Sequence, residues 1–328
     1  MKERLLYIDA LRGFAIFLVV LGHILIFNGY EKSIITTTIY SFHMPLFMFI
    51  SGYVARFSYK EIKNIPELIG IIFRKFNTIL LPYIVWCIIV RPLFFQSPLN
   101  YINRIEEYGL TSFFLSEYWF LPCLFTLSVC FFLYMLTTLK IGGGGKFISR
   151  LVVLCLLVTI VFLLNKTINI SLFTKCLQYI PFYFLGVLAI EYKCFSEKLF
   201  KNDYLVCITF MIFTLLNGLY NEVVGTGIVA TACRFLCGIC SIVFCINIFE
   251  KISTNSRLSK ILSYIGTNTL GIYLVHFIFV KNWDIVGLDF TSLLLIGILG
   301  SVFVIVLCLG IIKILRMNKI LSFLLLGK

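Results

Sequence analysis

Apolar residues run along this chain in blocks of about 18 to 25, divided by short stretches where Lys, Arg, Asn, Ser and Gly collect. A helical run of that length crosses a hydrocarbon core of roughly 30 Å. The blocks predict ten membrane helices, over about 12–29, 36–57, 78–95, 115–139, 147–165, 174–191, 204–221, 228–249, 264–281 and 291–312. The first block reads as a retained membrane helix, because Arg12 interrupts its start and no small-x-small cleavage site follows it. No long linker, internal repeat or soluble extension stands out. The expectation is one all-α polytopic membrane domain over 1–328.

Composition agrees. Of 328 residues, 60% are hydrophobic and only 13% are charged, whereas a soluble domain carries about 25% charged residues. A soluble enzyme, a disordered chain and a collagen-like fibre are excluded. The net charge of +13 would suit a nucleic-acid partner if the basic residues clustered on one domain. They alternate with the spans instead. With Met1 in the cytoplasm, 21 of the 28 Lys and Arg residues fall on the inner side and six on the outer side, and Arg234 lies within a span. The positive-inside rule accounts for that split, with both termini cytoplasmic and an even number of spans. Nucleic acid is not an expected partner.

Most of the 12 cysteines fall inside the blocks, which argues against a disulfide framework. Cys233, Cys237 and Cys240 have a cluster-like spacing, but they sit in an apolar run where thiols act as small packing residues. No residues at metal-ligand spacing are seen. Gly142–Gly145 reads as a turn, since Phe147 follows Lys146 where a phosphate loop needs Ser or Thr. Asn165 and Asn169 match glycosylation acceptors, a pattern that arises readily by chance.

The polar residues at membrane depth carry the chemistry. All three histidines, His23, His43 and His276, fall within predicted spans, where ionisable groups are costly and point to function. Arg12 and His23 are 11 residues apart, about 16 Å of rise and close to three full turns, so they share one helix face. Asp9 can pair with Arg12 if the helix extends back that far. Two readings stay open: a functional stripe, or an interfacial charge pair with a packing histidine. His43 precedes Pro45, with Ser51 and Gly52 further on. A bend there either opens a cavity beside the imidazole or gives a kinked packing helix with His43 bonded to a freed carbonyl. A structural role is preferred for His276, and Arg234 suits a lipid-headgroup contact or an interhelical pair. Trp119 fits an interfacial aromatic belt. Arg74 and Lys75, opening the third span, suit either an anionic cofactor or inner-side placement alone.

Asp9-x-x-Arg12-Gly13, the Arg12-x10-His23 spacing and the run from Phe42 to Gly52 together resemble the membrane acyltransferase 3 family. Within it the chain is similar to the fucose 4-O-acetylase-type acetyltransferases. Trp119-Phe-Leu-Pro-Cys-Leu-Phe125 and Gly271-Ile-Tyr-Leu-Val-His276 fit later blocks of the same pattern. The resemblance covers nearly the whole chain. It implies ten helices and acetyl transfer from cytoplasmic acetyl-CoA to sugars of extracytoplasmic or envelope glycans. It also implies that His23 is the catalytic histidine and Arg12 its partner. There are two departures. Family members often carry two Arg residues three apart before the third-span proline, whereas Arg74-Lys75-Phe76-Asn77 precedes Pro82 here. Some also carry an extracytoplasmic esterase-like domain, for which this sequence has no counterpart.

The residues suit that chemistry. A sugar hydroxyl attacking a thioester needs a base, and imidazole, with a reference pKa of about 6.5, fits the role. The tetrahedral intermediate needs a donor, for which His43 or Ser51 is a candidate. Ser51 and Tyr53 are candidate acyl carriers. The resulting expectation is an O-acetyltransferase of the bacterial cytoplasmic membrane, with His23 as base and Asp9 and Arg12 at the cytoplasmic entrance. Arg74 and Lys75 are the candidate coenzyme contacts. The expected partners are acetyl-CoA as acyl donor, a glycan or lipid-linked oligosaccharide acceptor, the bilayer and, as an option, a second copy of the chain. The rival expectation is a transporter or flippase for a lipid-linked glycan or small solute, whose buried His and Arg residues would line a pathway.

Overall fold

Twenty apolar residues in a row leave a backbone no hydrogen-bonding partner in lipid except itself, so helices are the forced outcome. The computed structural model describes residues 6–59, 62, 64–90, 117–139, 146–168, 170–222, 227–252, 256–281, 283, 285 and 287–328, and these contain helices and no strand. In chain order they are α1 (Leu6–Phe27), α2 (Ile34–Phe57), α3 (Ile65–Lys75) and α4 (Leu81–Val85), with π-helical turns at Phe76–Leu80 and Trp86–Val90. Then come α5 (Phe120–Leu139), α6 (Lys146–Ile168), α7 (Ser171–Glu191), α8 (Lys193–Lys201), α9 (Asp203–Glu222) and α10 (Ile228–Lys251). The last are α11 (Arg257–Thr267), α12 (Thr269–Val275), a 3₁₀ turn at His276–Ile278, α13 (Phe290–Leu315) and α14 (Lys319–Leu326).

Among the described residues, seven helical stretches are long and apolar enough to cross a membrane, and up to nine if each bent pair counts as one span. The protein is thus a polytopic helical bundle. The differences from the expected spans are local. The third begins at Ile65, 13 residues before the expected start, because Asn64 accepts the Glu67 N–H at 2.9 Å and Pro66 favours a first helical turn. Its expected end, 91–95, lies outside the described residues, as does Gly142–Gly145. The fourth keeps only a shorter apolar helix, Phe120–Leu136. The seventh matches α9, which α8 meets at 72° just before it, whereas the ninth is not straight, since α11 and the α12 segment meet at 66°.

The chain packs as two units, one made of Met1–Phe57 with Leu185–Ile314, the other of Ser58–Phe184 with Leu315–Lys328. In the first, α1 is the central helix. It is apolar around most of its circumference and packs on α2, α10, α11 and α12. Its closest neighbour is α11. A Cβ on Gly13 would fall on the Leu262 carbonyl oxygen, and one on Gly266 would fall on that of Asp9. Small residues let two backbones touch where apolar side chains alone would hold them apart. After α11 the chain turns at the buried Asn268, whose side chain donates to the Tyr264 carbonyl at 2.8 Å.

At the other end of α1, Asn28 and Tyr30 fasten the segment that follows the 3₁₀ turn. The Asn28 amide donates to Val280 O at 3.1 Å and its oxygen accepts from Trp283 N–H at 2.7 Å. The Tyr30 hydroxyl donates to Ile285 O and accepts from Leu288 N–H. Asp289 then caps α13 through the Thr291 and Ser292 N–H groups, and hydrogen bonding, chiefly from the Ser292 side chain, holds its carboxyl below the usual range.

Arg56, in the last turn of α2, pairs with Glu191 at 3.1 Å, and the Glu191 side chain is only 1% exposed. Removing one partner of a buried pair leaves the other charge stranded. Arg56→Ala is therefore expected to lower stability by about 1–3 kcal/mol, reduced from the fully buried case because Arg56 itself reaches solvent. A shift in thermal unfolding in detergent micelles would show it.

The second unit places α5 against α6, α3 and the first π turn, and α14 against α4. Trp86 Nε1 donates to Leu325 O at 3.0 Å. Gly327 ends α14 at a φ of 67°, a left-handed conformation suited to glycine. Along α6, Leu151, Leu156, Ile160 and Phe162 are exposed, as expected of a helix facing lipid.

Candidate active site

The first unit brings the three histidines into one aromatic group. His23 lies about one turn before the end of α1, His43 in the middle of α2, and His276 at the start of the 3₁₀ turn. His276 Nε2 and His23 Nδ1 are hydrogen-bonded at 3.1 Å, across 253 residues of sequence. His276 Nδ1 donates to the Ile272 carbonyl at 3.0 Å. The 66° bend puts His276 there, since a straight helix through Asn268 would carry this side chain elsewhere. Tyr40 stacks on His23 with centroids 6.5 Å apart and meets His43 edge-on at 4.7 Å. Phe277 lies 4.7 Å from His23, and Phe27 meets its edge at 5.7 Å. The Lys281 ammonium sits 4.7 Å from the Phe27 ring centre.

Burial separates the three imidazoles. His43 is 2% and His276 0% exposed, whereas His23 is partly exposed. Of the three, His23 is the one that a reactant can reach. It is flanked by the rings of Phe27, Tyr40 and Phe277.

The expected site residues fall into separate groups. The first helix does extend back past Asp9, and Arg12 Nη1 lies 3.9 Å from Asp9 Oδ1. Asp9 is nearly buried, held where its own carbonyl meets Gly266. Arg12 is about 16 Å and Asp9 about 21 Å along α1 from His23, so the pair stands apart from the imidazole.

His43 does bond to a carbonyl, but to that of Ile39, at 2.7 Å. Pro45 frees the carbonyl of Ser41, four residues before it, so the expected pairing with a freed carbonyl is corrected. A carbonyl only accepts, so neutral His43 carries its proton on Nδ1 and presents a lone pair at Nε2. It can therefore donate to an oxyanion only as an imidazolium.

Ser51 is 11 residues from Tyr40, or about 16 Å along α2, and its hydroxyl donates to Phe47 O at 2.8 Å. The structure does not bring it to the histidines. Ser51→Ala is expected to leave any acyl transfer within about twofold of wild type and stability within about 1 kcal/mol. An inactive, normally folded Ser51→Ala protein would restore it as an acyl carrier. Tyr53 shares a 3.1 Å hydroxyl contact with Tyr7, at the Asp9 end of α1.

Arg74 and Lys75 form the last turn of α3, with Arg74 exposed and Lys75 half-buried. They lie inside a longer helical stretch rather than opening it. Trp119 stacks on Tyr179 at 5.3 Å and carries the Lys175 ammonium 4.9 Å from its ring. Cys233, Cys237 and Cys240 are all buried in α10. Among the described residues, no group of three or more His, Cys, Asp or Glu is placed to hold a metal ion. Arg234 is exposed, about 9 Å from the start of α10, within snorkelling reach of a membrane interface.

Sequence reasoning missed two members of the group. Tyr40 is one of many aromatic residues in the chain, and its place in the group emerges only from ring contacts. His276 was visible, but its pairing with His23 is nonlocal and leaves no mark on local spacing. The one available signal was that a third histidine stood at membrane depth.

The family model described as an acyltransferase domain matches residues 5–313, and the chain belongs to the acyltransferase 3 family. Among curated proteins and among solved structures, no match was found.

Proposed function

We propose that this acyltransferase is an O-acetyltransferase of the bacterial cytoplasmic membrane, moving an acetyl group from acetyl-CoA to a hydroxyl of a cell-surface or secreted glycan. The observation that carries this reading is His23: a partly exposed imidazole, bonded to a second imidazole and enclosed by aromatic rings, in a chain of an acyltransferase family. The resemblance of the sequence to the fucose 4-O-acetylase-type acetyltransferases supports acetyl as the acyl group.

In this reaction His23 takes the proton of the acceptor hydroxyl as its oxygen attacks the thioester carbon. The tetrahedral intermediate collapses by breaking the carbon–sulfur bond, and the imidazolium returns the proton to the departing thiolate. The products are the acetyl ester and the free thiol. Asp9 and Arg12 organise the donor's cytoplasmic entrance. The inner-side excess of Lys and Arg supports that orientation.

The test is whole-cell glycan O-acetyl content, measured by proton NMR in a deletion strain with and without the wild-type gene. Loss on deletion and return on complementation are expected. Unchanged acetylation, with glycan accumulating inside the cell, would overturn the proposal in favour of a transporter.

A further inference from the structure

The hydrogen bonds around His23 settle which of its two nitrogens can act. A backbone carbonyl only accepts, so the contact from His276 Nδ1 to Ile272 O requires a proton on His276 Nδ1. Neutral imidazole carries one N–H, which leaves a lone pair on His276 Nε2. That atom lies 3.1 Å from His23 Nδ1, and a hydrogen bond there needs the proton on His23. His23 then carries its only N–H on Nδ1, and its lone pair is on Nε2.

We infer that His276 is a positioning residue which, anchored on the Ile272 carbonyl, holds His23 in the Nδ1–H tautomer and so makes His23 Nε2 the proton-accepting atom. This rests on the reading of His23 as the base. His276 is fully buried. Phe277 lies 4.1 Å and Tyr273 5.8 Å from its ring, so rotation would break both its bonds without replacing either.

The arrangement also acts during the reaction. When His23 Nε2 takes the hydroxyl proton, its Nδ1–H becomes a cationic donor, and the bond to His276 Nε2 becomes charge-assisted and stronger. An interaction stronger in the transition state than in the ground state raises kcat and leaves KM little changed. The role of His276 therefore differs from packing in a measurable way.

The chain has three histidines, so protein labelled with ¹⁵N-histidine and reconstituted in lipid gives a readable imidazole spectrum. The wild type is expected to show His23 protonated at Nδ1 and bare at Nε2. His276→Phe keeps a planar ring but offers no acceptor. It is expected to move His23 towards Nε2–H and to lower kcat about 10- to 100-fold with KM little changed. His276→Gln places a carboxamide oxygen where Nε2 stood, and is expected to keep the tautomer and to hold kcat within about tenfold. A wild-type His23 protonated at Nε2 would overturn the inference whatever the activity, and the spectrum and the Gln variant decide it even if the Phe variant fails to fold. Full kcat in His276→Phe beside an inactive His23→Ala would overturn it while leaving the base standing. An active His23→Ala would remove the base, and this role with it.

Discussion

His23→Ala, expressed and folded normally, is expected to lose acyl transfer by about 10²- to 10⁴-fold, the range for removing a general base, the role proposed for this imidazole. No neighbour is set to replace it. His43 Nδ1 is tied to Ile39 and His276 Nδ1 to Ile272, and both residues are sealed from reactants. The Asp9 carboxylate lies about 21 Å away along the helix. The alanine side chain leaves a space beside Phe277 and Tyr40, but His23 is only partly buried, so folding should survive. Comparing the rate of purified protein in lipid nanodiscs with glycan O-acetyl content in complemented cells checks both levels. Full acetylation by His23→Ala would remove the imidazole from the mechanism.

Placing a side chain at the α1–α11 crossing should have the largest effect on folding. Gly13→Val and Gly266→Val each push a branched side chain into a backbone carbonyl, that of Leu262 in one case and of Asp9 in the other. A carbonyl in a helix cannot step aside as a side-chain tip can, so the two helices must separate. Overpacking in a core costs about 1–3 kcal/mol, and occasionally more. At backbone contact, about 3 kcal/mol or more is expected from each substitution. Activity should fall along with stability, because α11 leads through the Asn268 bend to His276. Size-exclusion profiles and thermal unfolding in detergent report the first effect and transfer rates the second. A Gly266→Val protein as stable as wild type would show that the helices do not meet as described.

Much of the architecture was legible because lipid leaves the backbone few options. Uninterrupted apolar runs gave α1, α2, α10 and α13 nearly as expected. The Asp9–Arg12 pair followed from its i, i+3 spacing once the helix reached back to Leu6. The bends were not legible: Asn268 interrupts its apolar stretch too briefly to register in a hydropathy pattern, and the bend at Asn202 falls in the polar segment between two expected spans. The site was half legible. Depth singled out the histidines, since charge is costly there. Depth could not say which imidazoles touch, because His23 and His276 meet only through the packing of α1 on α11 and α12. Ser51 shows the converse, a plausible side chain on the right helix but about three turns from the Tyr40 ring that stacks on His23.

The 253 residues between the two bonded imidazoles also set a timetable. The helix that fits against Gly13 and the imidazole bonded to His23 both follow α1 only after more than two hundred residues of chain. Closing the site is a late, long-range event in biogenesis, of the kind that slows folding. A nascent chain halted before residue 276 has the His23 imidazole but not the one bonded to it.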